Sequence, residues 1–314
     1  MHLTQGIKGT NANSANTTVC ICTHRRPMGL RRLLDSLTRQ IGAPPFNVVV
    51  VDNDPHGSAR PVADAYSDRL AIRYIADATR CLATIRNRSV READGAFLAF
   101  ADDDEEVPGT WLAAHHRVLQ EFGAEASGGA TRFAFDDRVP RAIRMCRIFQ
   151  RTIHPTGDVL PWFLVSTGNV CVRRAALPHP TEPFSAHFGT TGGEDIACFR
   201  AIAEAGGRIL AAGPEACVSE FREYGRARYA WVLRRAIRNG GNMADMEWKA
   251  QPPARRLNLA LRALDRAIRD GATAIRVRRR NPLRYVEKSI DACEQLGRVL
   301  CVFGYRYPEY KSPQ

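Results

Sequence analysis

The sequence predicts an α/β protein: a doubly wound, mostly parallel sheet flanked by helices, followed by a basic helical C-terminal region. Three observations carry this prediction. Up to about residue 125, short apolar strands alternate with helical patterns, the rhythm of βαβ units. Three of the four strand candidates there run straight into polar motifs, at the sheet edge where such folds bind ligands. The charge is also divided. Residues 1–220 hold 24 Lys and Arg against 24 Asp and Glu, and residues 221–314 hold 21 against 9, so the whole net charge of +12 lies in the last third of the chain.

Each element has its own signal. Residues 18–22 are β-branched and apolar, and Pro27 then opens a helix with leucines at 30, 33, 34 and 37 on one face. Residues 46–51 form a continuous apolar run, as in strands covered on both faces, and end in Asp52, Asn53 and Asp54. Residues 71–75 read as a third strand, 82–93 as a helix with a basic face, and 96–101 as a fourth strand that stops at Asp102, Asp103 and Asp104. A helix is expected from Pro108 to Phe122. Beyond residue 125 the alternation weakens. Residues 127–129 and 133–137 read as strand and loop, 138–157 as a basic loop-rich insertion, 170–172 as a strand, and 194–205 as a helix ended by Gly206 and Gly207. Residues 229–238, 254–269 and 283–302 have helical spacing with interleaved arginines. The expected organisation is a disordered tail (1–16), a catalytic domain (17–220) and a basic helical region (221–314).

Composition narrows the function classes. Hydrophobic residues at 45% and charged residues at 25% exclude wholesale disorder. The nine cysteines include no CxxC pair and are read as reduced thiols rather than a zinc site. The longest apolar stretch, 159–172, is short for a membrane span and is interrupted by Pro161, Gly168 and Asn169. Residues 1–16 are polar and lack a signal-peptide core. A cytoplasmic location is expected, and the basic region calls for an anionic partner: nucleic acid, a membrane surface or a phosphorylated substrate.

Asp102 and Asp104, two apart at a strand end, project to one side. Adjacent carboxylates repel unless a cation neutralises them, and a hard cation such as Mg²⁺ or Mn²⁺ takes oxygen ligands and shares substrate phosphates. The plainer alternative is a solvated acidic turn that favours the next helix start. Asp52, Asn53 and Asp54 suit a nucleobase or ribose, or else an Asx-turn. Arg86, with Asn87 and Arg88, suits a diphosphate, or else a solvated helix face. In Thr191-Gly192-Gly193-Glu194-Asp195 the glycines allow close backbone approach, and the carboxylates fall at a helix start, as a general base or as a simple cap. Ser166-Thr167-Gly168-Asn169 is a polar turn within an apolar stretch.

Taken in order, VCICTHRRP (19–27), VVVVDND (48–54), IRNR (85–88), FLAFADDD (97–104), Trp111-Leu112, TGN (167–169) and GED (193–195) resemble the motif series of family-2 glycosyltransferases with the GT-A fold. The wording DNDP, TGN and GGED is closest to the bacterial exopolysaccharide branch, the succinoglycan-type β-glucosyltransferases. The resemblance covers roughly residues 17–240. It implies inverting, metal-dependent transfer of one sugar from a UDP-sugar, with UDP-glucose the first expectation, to a saccharide acceptor carried on polyprenyl diphosphate. It further implies that Thr23 and Arg25 line the nucleotide site with Asn53, Asp54, Arg86 and Asp103, that Asp52 faces uracil, and that Asp102–Asp104 form the DXD motif with Asp104 as the Mn²⁺ or Mg²⁺ ligand. Asp195 would be the catalytic base with Glu194 beside it, and Trp111, Thr167, Gly168, Asn169 and Gly193 would lie on the acceptor side. No QxxRW motif of processive synthases is present; Arg228-Tyr229-Ala230-Trp231 is a loose echo.

Two other classes share parts of this pattern. A nucleotidyltransferase would need a Gly-rich loop after the first strand, where Thr23-His24-Arg25-Arg26-Pro27 stands. A nucleic-acid-binding protein would use the basic region and leave the acidic motifs unexplained. The arginine run Arg276, Arg278, Arg279 and Arg280, near Leu296, Val299, Leu300, Val302, Phe303, Tyr305 and Tyr307, suits peripheral attachment to an anionic inner membrane face, unless those apolar residues pack onto the core.

Overall fold

Apolar strands of alternating facing set up the molecule. The computed structural model describes residues 16–79 and 81–308, so the tail expected at 1–16 lies outside the described residues apart from Asn16. The N-terminal half runs β1 (Thr17–Thr23), α1 (Pro27–Leu37), β2 (Phe46–Asp52), α2 (Arg60–Asp64), β3 (Ile72–Ala76), α3 (Leu82–Glu92), β4 (Phe97–Ala101), β5 (Glu105–Glu106) and α4 (Trp111–Glu121). There follow β6 (Ala126–Gly128), β7 (Thr131–Phe135), α5 (Arg141–Arg144), β8 (Asn169–Arg173), α6 (Glu194–Glu204), β9 (Ile209–Ala211) and β10 (Val218–Arg222). Three long helices close the chain: α7 (Tyr229–Trp248), α8 (Pro253–Val277) and α9 (Pro282–Val302).

Seven strands form the main sheet in the order β3-β2-β1-β4-β8-β6-β9, and β8 alone runs antiparallel to its neighbours. The period of two decides its layering. Val48 and Val50 face one side with Ile21, against Leu30, Leu33 and Leu34 of α1. Val49 and Val51 face the other, against Ile85 and Val90 of α3 and Phe199 of α6. A second sheet, β5-β10-β7, lies beyond the acidic motif. The short β5 explains why α4 begins at Trp111 rather than at Pro108. The chain first pairs with β10, then turns, and the Trp111 amide bonds to the Pro108 carbonyl at 3.0 Å.

A third core joins the insertion to the C-terminal helices: Val139, Ile143, Cys146 and Phe149 pack with Val232, Ala236, Val286 and Ile290. The expected end of the first long helix, at 238, falls ten residues short of the observed one at Trp248. Gly240, within the extra turns, serves a close helix crossing. A Cβ on Gly240 would fall on the Glu294 carbonyl oxygen, and one on Gly297 on the Ile237 carbonyl oxygen. α7 and α9 therefore touch backbone to backbone.

Between α4 and β8, Asn169 organises a buried polar node. Its Nδ2 donates to the carbonyls of Ala130 (2.9 Å) and Ala216 (2.7 Å), which fixes Oδ1 as the acceptor from Trp111 Nε1 (2.8 Å). His115 Nε2 meets the same Oδ1 at 3.0 Å, so it must carry a proton, leaving Nδ1 to accept from the Ser127 hydroxyl at 3.1 Å. Burial depresses the His115 pKa from 6.5 to about 4. The folded state then refuses a proton that the unfolded chain takes up, so stability present above pH 6.5 is lost as pH falls toward 4. We expect this residue to cost about 2 kcal/mol between pH 7 and pH 5. Urea melts at the two pH values should show that share missing from His115→Gln, and an equal pH response in both proteins would refute the assignment.

Candidate active site

The parallel register brings the strand ends together. Thr23 lies beside Asp52, and β4 delivers Asp102 next to β1. Because β8 runs back along β4, with Asn169 opposite Ala101, the turn before it is carried to the acidic triplet. A Cβ on Gly168 would stand 3.3 Å from Asp102 Oδ2.

The triplet alternates. Asp103 is buried: its carboxylate accepts from the Thr23 hydroxyl (2.8 Å) and from Arg26 Nη1 (2.8 Å). Asp102, by contrast, has a side chain 46% exposed. Asp104 is held from two directions, its Oδ2 accepting from Arg226 (2.7 Å) and Arg26 (3.1 Å). Burial works to raise the Asp104 pKa, but these arginines outweigh it and hold the carboxyl below its usual range.

Arg86 ties the two acidic motifs together. It projects from α3, is 7% exposed, and bonds Asp102 Oδ1 through Nη2 (3.3 Å) and Glu194 Oε1 through Nη1. Neither expectation for Arg86, diphosphate ligand or solvated face, describes this: the guanidinium is buried and divided between two carboxylates. Burial pushes the Glu194 carboxyl up to about 7 against the pull of Arg86. Its other oxygen, Oε2, is buried with no hydrogen-bond partner among the described residues. Asp195, next in sequence at the start of α6, is only partly buried, and its Oδ1 accepts from the Ile196 amide (2.8 Å). Gly193 precedes them at φ +99°, a conformation that side chains resist, and Asn242 of α7 donates to the Gly192 carbonyl (2.5 Å). Asn87 clasps both backbone groups of Phe184, at 2.8 and 2.9 Å, and so anchors the segment before the GGED loop.

On the nucleotide side, Asp52 is fully buried with both oxygens engaged, by the amides of Asp54 (3.0 Å) and Ala59 (2.9 Å) and by the Tyr74 hydroxyl (2.8 Å). It shapes the loop instead of presenting itself to a base, which corrects the uracil-facing expectation. Asn53 donates to the carbonyls of Asp77 (3.0 Å) and Thr79. Arg25 has φ +53°, a strained value for its residue type, and its Nε reaches Asp54 Oδ1 at 3.2 Å. On the acceptor side, Trp111 and Asn169 are corrected in the same way. Both are buried within the polar node, their polar atoms bonded to protein groups. Thr167 is also buried, and its hydroxyl has no hydrogen-bond partner among the described residues.

The second sheet supplies residues the sequence did not reveal. β10 is inverted: Val218, Glu220 and Arg222 are buried while Phe221 is half exposed. Glu220 pairs in register with Glu105, and burial raises both carboxyls, Glu220 to about 8 despite Arg222 at 2.6 Å. The alternation of charge and Phe was visible, but a period-two reading places the Phe inside.

For a divalent cation Asp102 presents an exposed carboxylate, and Asp104, which is mostly covered and paired with Arg26 and Arg226, a second oxygen donor. Among the described residues no group of three or more His, Cys, Asp or Glu side chains is placed to hold a metal. The pair thus fits an ion that completes its shell with diphosphate oxygens and water, the habit of Mg²⁺ and Mn²⁺.

A doubly wound sheet with an acidic triplet and a GGED loop clamped over one crevice defines a GT-A glycosyltransferase. Residues 18–177 match the family described as Glycosyl transferase family 2, and the chain belongs to that family. It is 33% identical over 228 residues to the succinoglycan biosynthesis protein ExoM of Rhizobium meliloti (strain 1021), covering 70% of this chain and 71% of that protein. It is 37% identical over 159 residues to validoxylamine A glucosyltransferase of Streptomyces hygroscopicus subsp. limoneus, covering 46% of this chain and 33% of the relative. Among solved structures, S. aureus TarS 1-349 in complex with UDP-GlcNAc aligns with a TM-score of 0.53 at 16% identity over 90% of each chain. Mannosyltransferase PcManGT from Pyrobaculum calidifontis, in complex with GDP-Man and Mn²⁺, aligns with a TM-score of 0.56 at 18% identity over 92% of this chain and 74% of that one.

The clamp makes a quantitative prediction. Removing one partner of a buried pair costs about 3–5 kcal/mol, because the other charge is left behind. Arg86→Met should destabilise by that order, and Arg86→Met with Glu194→Gln by clearly less than the sum of the single changes. Denaturant melts of the four proteins give the cycle, and strict additivity would show that the two side chains do not interact.

Proposed function

We propose that this chain is an inverting glycosyltransferase of exopolysaccharide biosynthesis. It moves one sugar from a UDP-sugar, UDP-glucose first, to a saccharide acceptor carried on polyprenyl diphosphate. The observation that carries the reading is the Arg86 bridge, which sets the GGED pair and the acidic triplet on one crevice. The names of the relatives support it: one is a succinoglycan biosynthesis protein, another a glucosyltransferase. TarS in complex with UDP-GlcNAc supports a UDP donor, and PcManGT with GDP-Man and Mn²⁺ supports a divalent cation, Mn²⁺ or Mg²⁺. Membership in family 2 sets aside the nucleotidyltransferase reading.

In this reading residues 17–220 bind donor and perform the transfer. Asp195, the accessible acid of the pair, takes the proton from the acceptor hydroxyl as it attacks the anomeric carbon opposite the leaving diphosphate. Glu194 is locked by Arg86 and positions the loop. The sugar passes through an oxocarbenium-like state. A divalent cation at Asp104 and Asp102 would offset the charge gathering on the departing diphosphate. Arg226 and Arg26, which pair with Asp104, would add positive charge beside the same diphosphate.

The basic region, 221–314, is assigned to peripheral attachment at the cytoplasmic face of the membrane. No helix among the described residues is long and apolar enough to cross a bilayer. Of the apolar residues expected to serve there, Val299, Leu300 and Val302 are partly covered, whereas Phe303 is 73% exposed.

Two measurements test the chemistry. Asp104→Ala should lose most Mn²⁺-dependent UDP affinity in calorimetry while retaining metal-independent anion binding through the two released arginines. Unchanged Mn²⁺-dependent affinity would remove Asp104 from the metal site. Asp195→Asn should bind donor normally while turnover drops about 10²–10⁴-fold, the worth of a positioned base. Near-normal turnover would transfer the role to another group.

A further inference from the structure

The face of α8 turned away from the protein has a composition that neither catalysis nor packing uses. Leu257, Leu261, Leu264, Ile268 and Ile275 are all exposed, from 40% at Leu264 to 77% at Ile275. At 100° per residue they fall within about 60° of one another, a single aliphatic stripe along the helix. α8 meets α9 through small residues on a different face, with Ala260, Ala263 and Ala274 buried, so the stripe is not a core surface. Beyond a gap of about 60° from the stripe's edge, over an arc of about 80°, stand Arg276, Arg269, Arg262, Arg255 and Arg266, the first two nearest the stripe and Arg266 almost opposite it. α8 carries six arginines against Asp265 and Asp270, and Arg278, Arg279 and Arg280 follow at once.

We propose that this face of α8 is the membrane-docking surface. The helix lies flat on an anionic bilayer, with its Leu and Ile stripe among the acyl chains and its arginines at the lipid phosphates. The inference rests on the peripheral-attachment reading and gives it a specific surface, different from the 296–307 segment expected from sequence. Charge selects the occupant. A second copy of this chain would oppose arginine to arginine in a region of 21 basic and 9 acidic residues. Nucleic acid would match the charge but not the stripe, which holds no aromatic ring on which a base stacks. An anionic lipid surface satisfies both halves, and each basic side chain near it adds about 1 kcal/mol.

The test uses the full chain and vesicles of phosphatidylcholine with or without phosphatidylglycerol. Wild type should sediment with the anionic vesicles only, and less so as salt rises. The double variant Leu261→Ser with Ile268→Ser changes exposed positions only. It should lower the partition coefficient at least about tenfold, and UDP-induced thermal shifts equal to wild type would show that the fold is kept. Arg269→Ser with Arg276→Ser should flatten the salt dependence. Equal anionic-vesicle binding by wild type and the Leu261/Ile268 variant would overturn the α8 assignment and leave peripheral attachment standing. No binding by wild type would overturn attachment itself. Wild-type dimers that the stripe variant abolishes, without lipid binding, would make this face a self-association surface and overturn the proposal.

Discussion

A single buried guanidinium holds the working parts of this enzyme in register. Arg86 reaches from α3 to Asp102 at the end of β4 and to Glu194 at the start of α6, elements nearly a hundred residues apart in sequence. Without it the carboxylates of the two acidic motifs would repel across the crevice, and Glu194 would be a charge buried without compensation. With it, like charges are held close around one cation, and the neighbouring Asp195 remains accessible. The same logic repeats at the rim, where Arg26 and Arg226 share Asp104. The crevice is a lattice of alternating charge in which the carboxylates of Asp102, Asp104 and Glu194 each meet an arginine.

That lattice depends on the sheet. Parallel strands whose two faces are both covered leave only their ends for chemistry, so Thr23, Asp52 and Asp102 arrive side by side by register alone. The antiparallel β8 and the inverted β10 then bring Gly168, Glu220 and Arg222 in from later in the chain. Glu105 and Glu220 face each other under burial, and their raised carboxyls are the cost of that convergence.

The parallel half of the fold was legible because runs such as 46–51 have no soluble alternative to a doubly covered strand. The acidic triplet was legible for the same reason: it interrupts such a run. What sequence could not reveal was direction. Asp52, Trp111 and Asn169 stand in motifs that read as ligand-facing, yet each turns inward, since a polar side chain can satisfy a loop or a core node as well as a substrate. Glu220 and Arg222 were hidden by the opposite error, a strand that buries its charges and exposes its Phe. Asn242 carried no signal at all, because a helical Asn after two glycines reads as a helix end. The glycines were in fact demanded by a crossing that only the folded chain reveals.

That crossing joins two jobs. Gly240 and Gly297 let α7 and α9 meet at backbone distance, and two residues further along α7, on its opposite side, Asn242 grips the Gly192 carbonyl of the GGED loop. The basic helices and the loop bearing Asp195 are thereby geared to one another. An enzyme engineer who swaps this C-terminal region to retarget the protein is also editing its active site, and a chimera would keep its catalytic geometry only if the graft preserved both glycines and the asparagine.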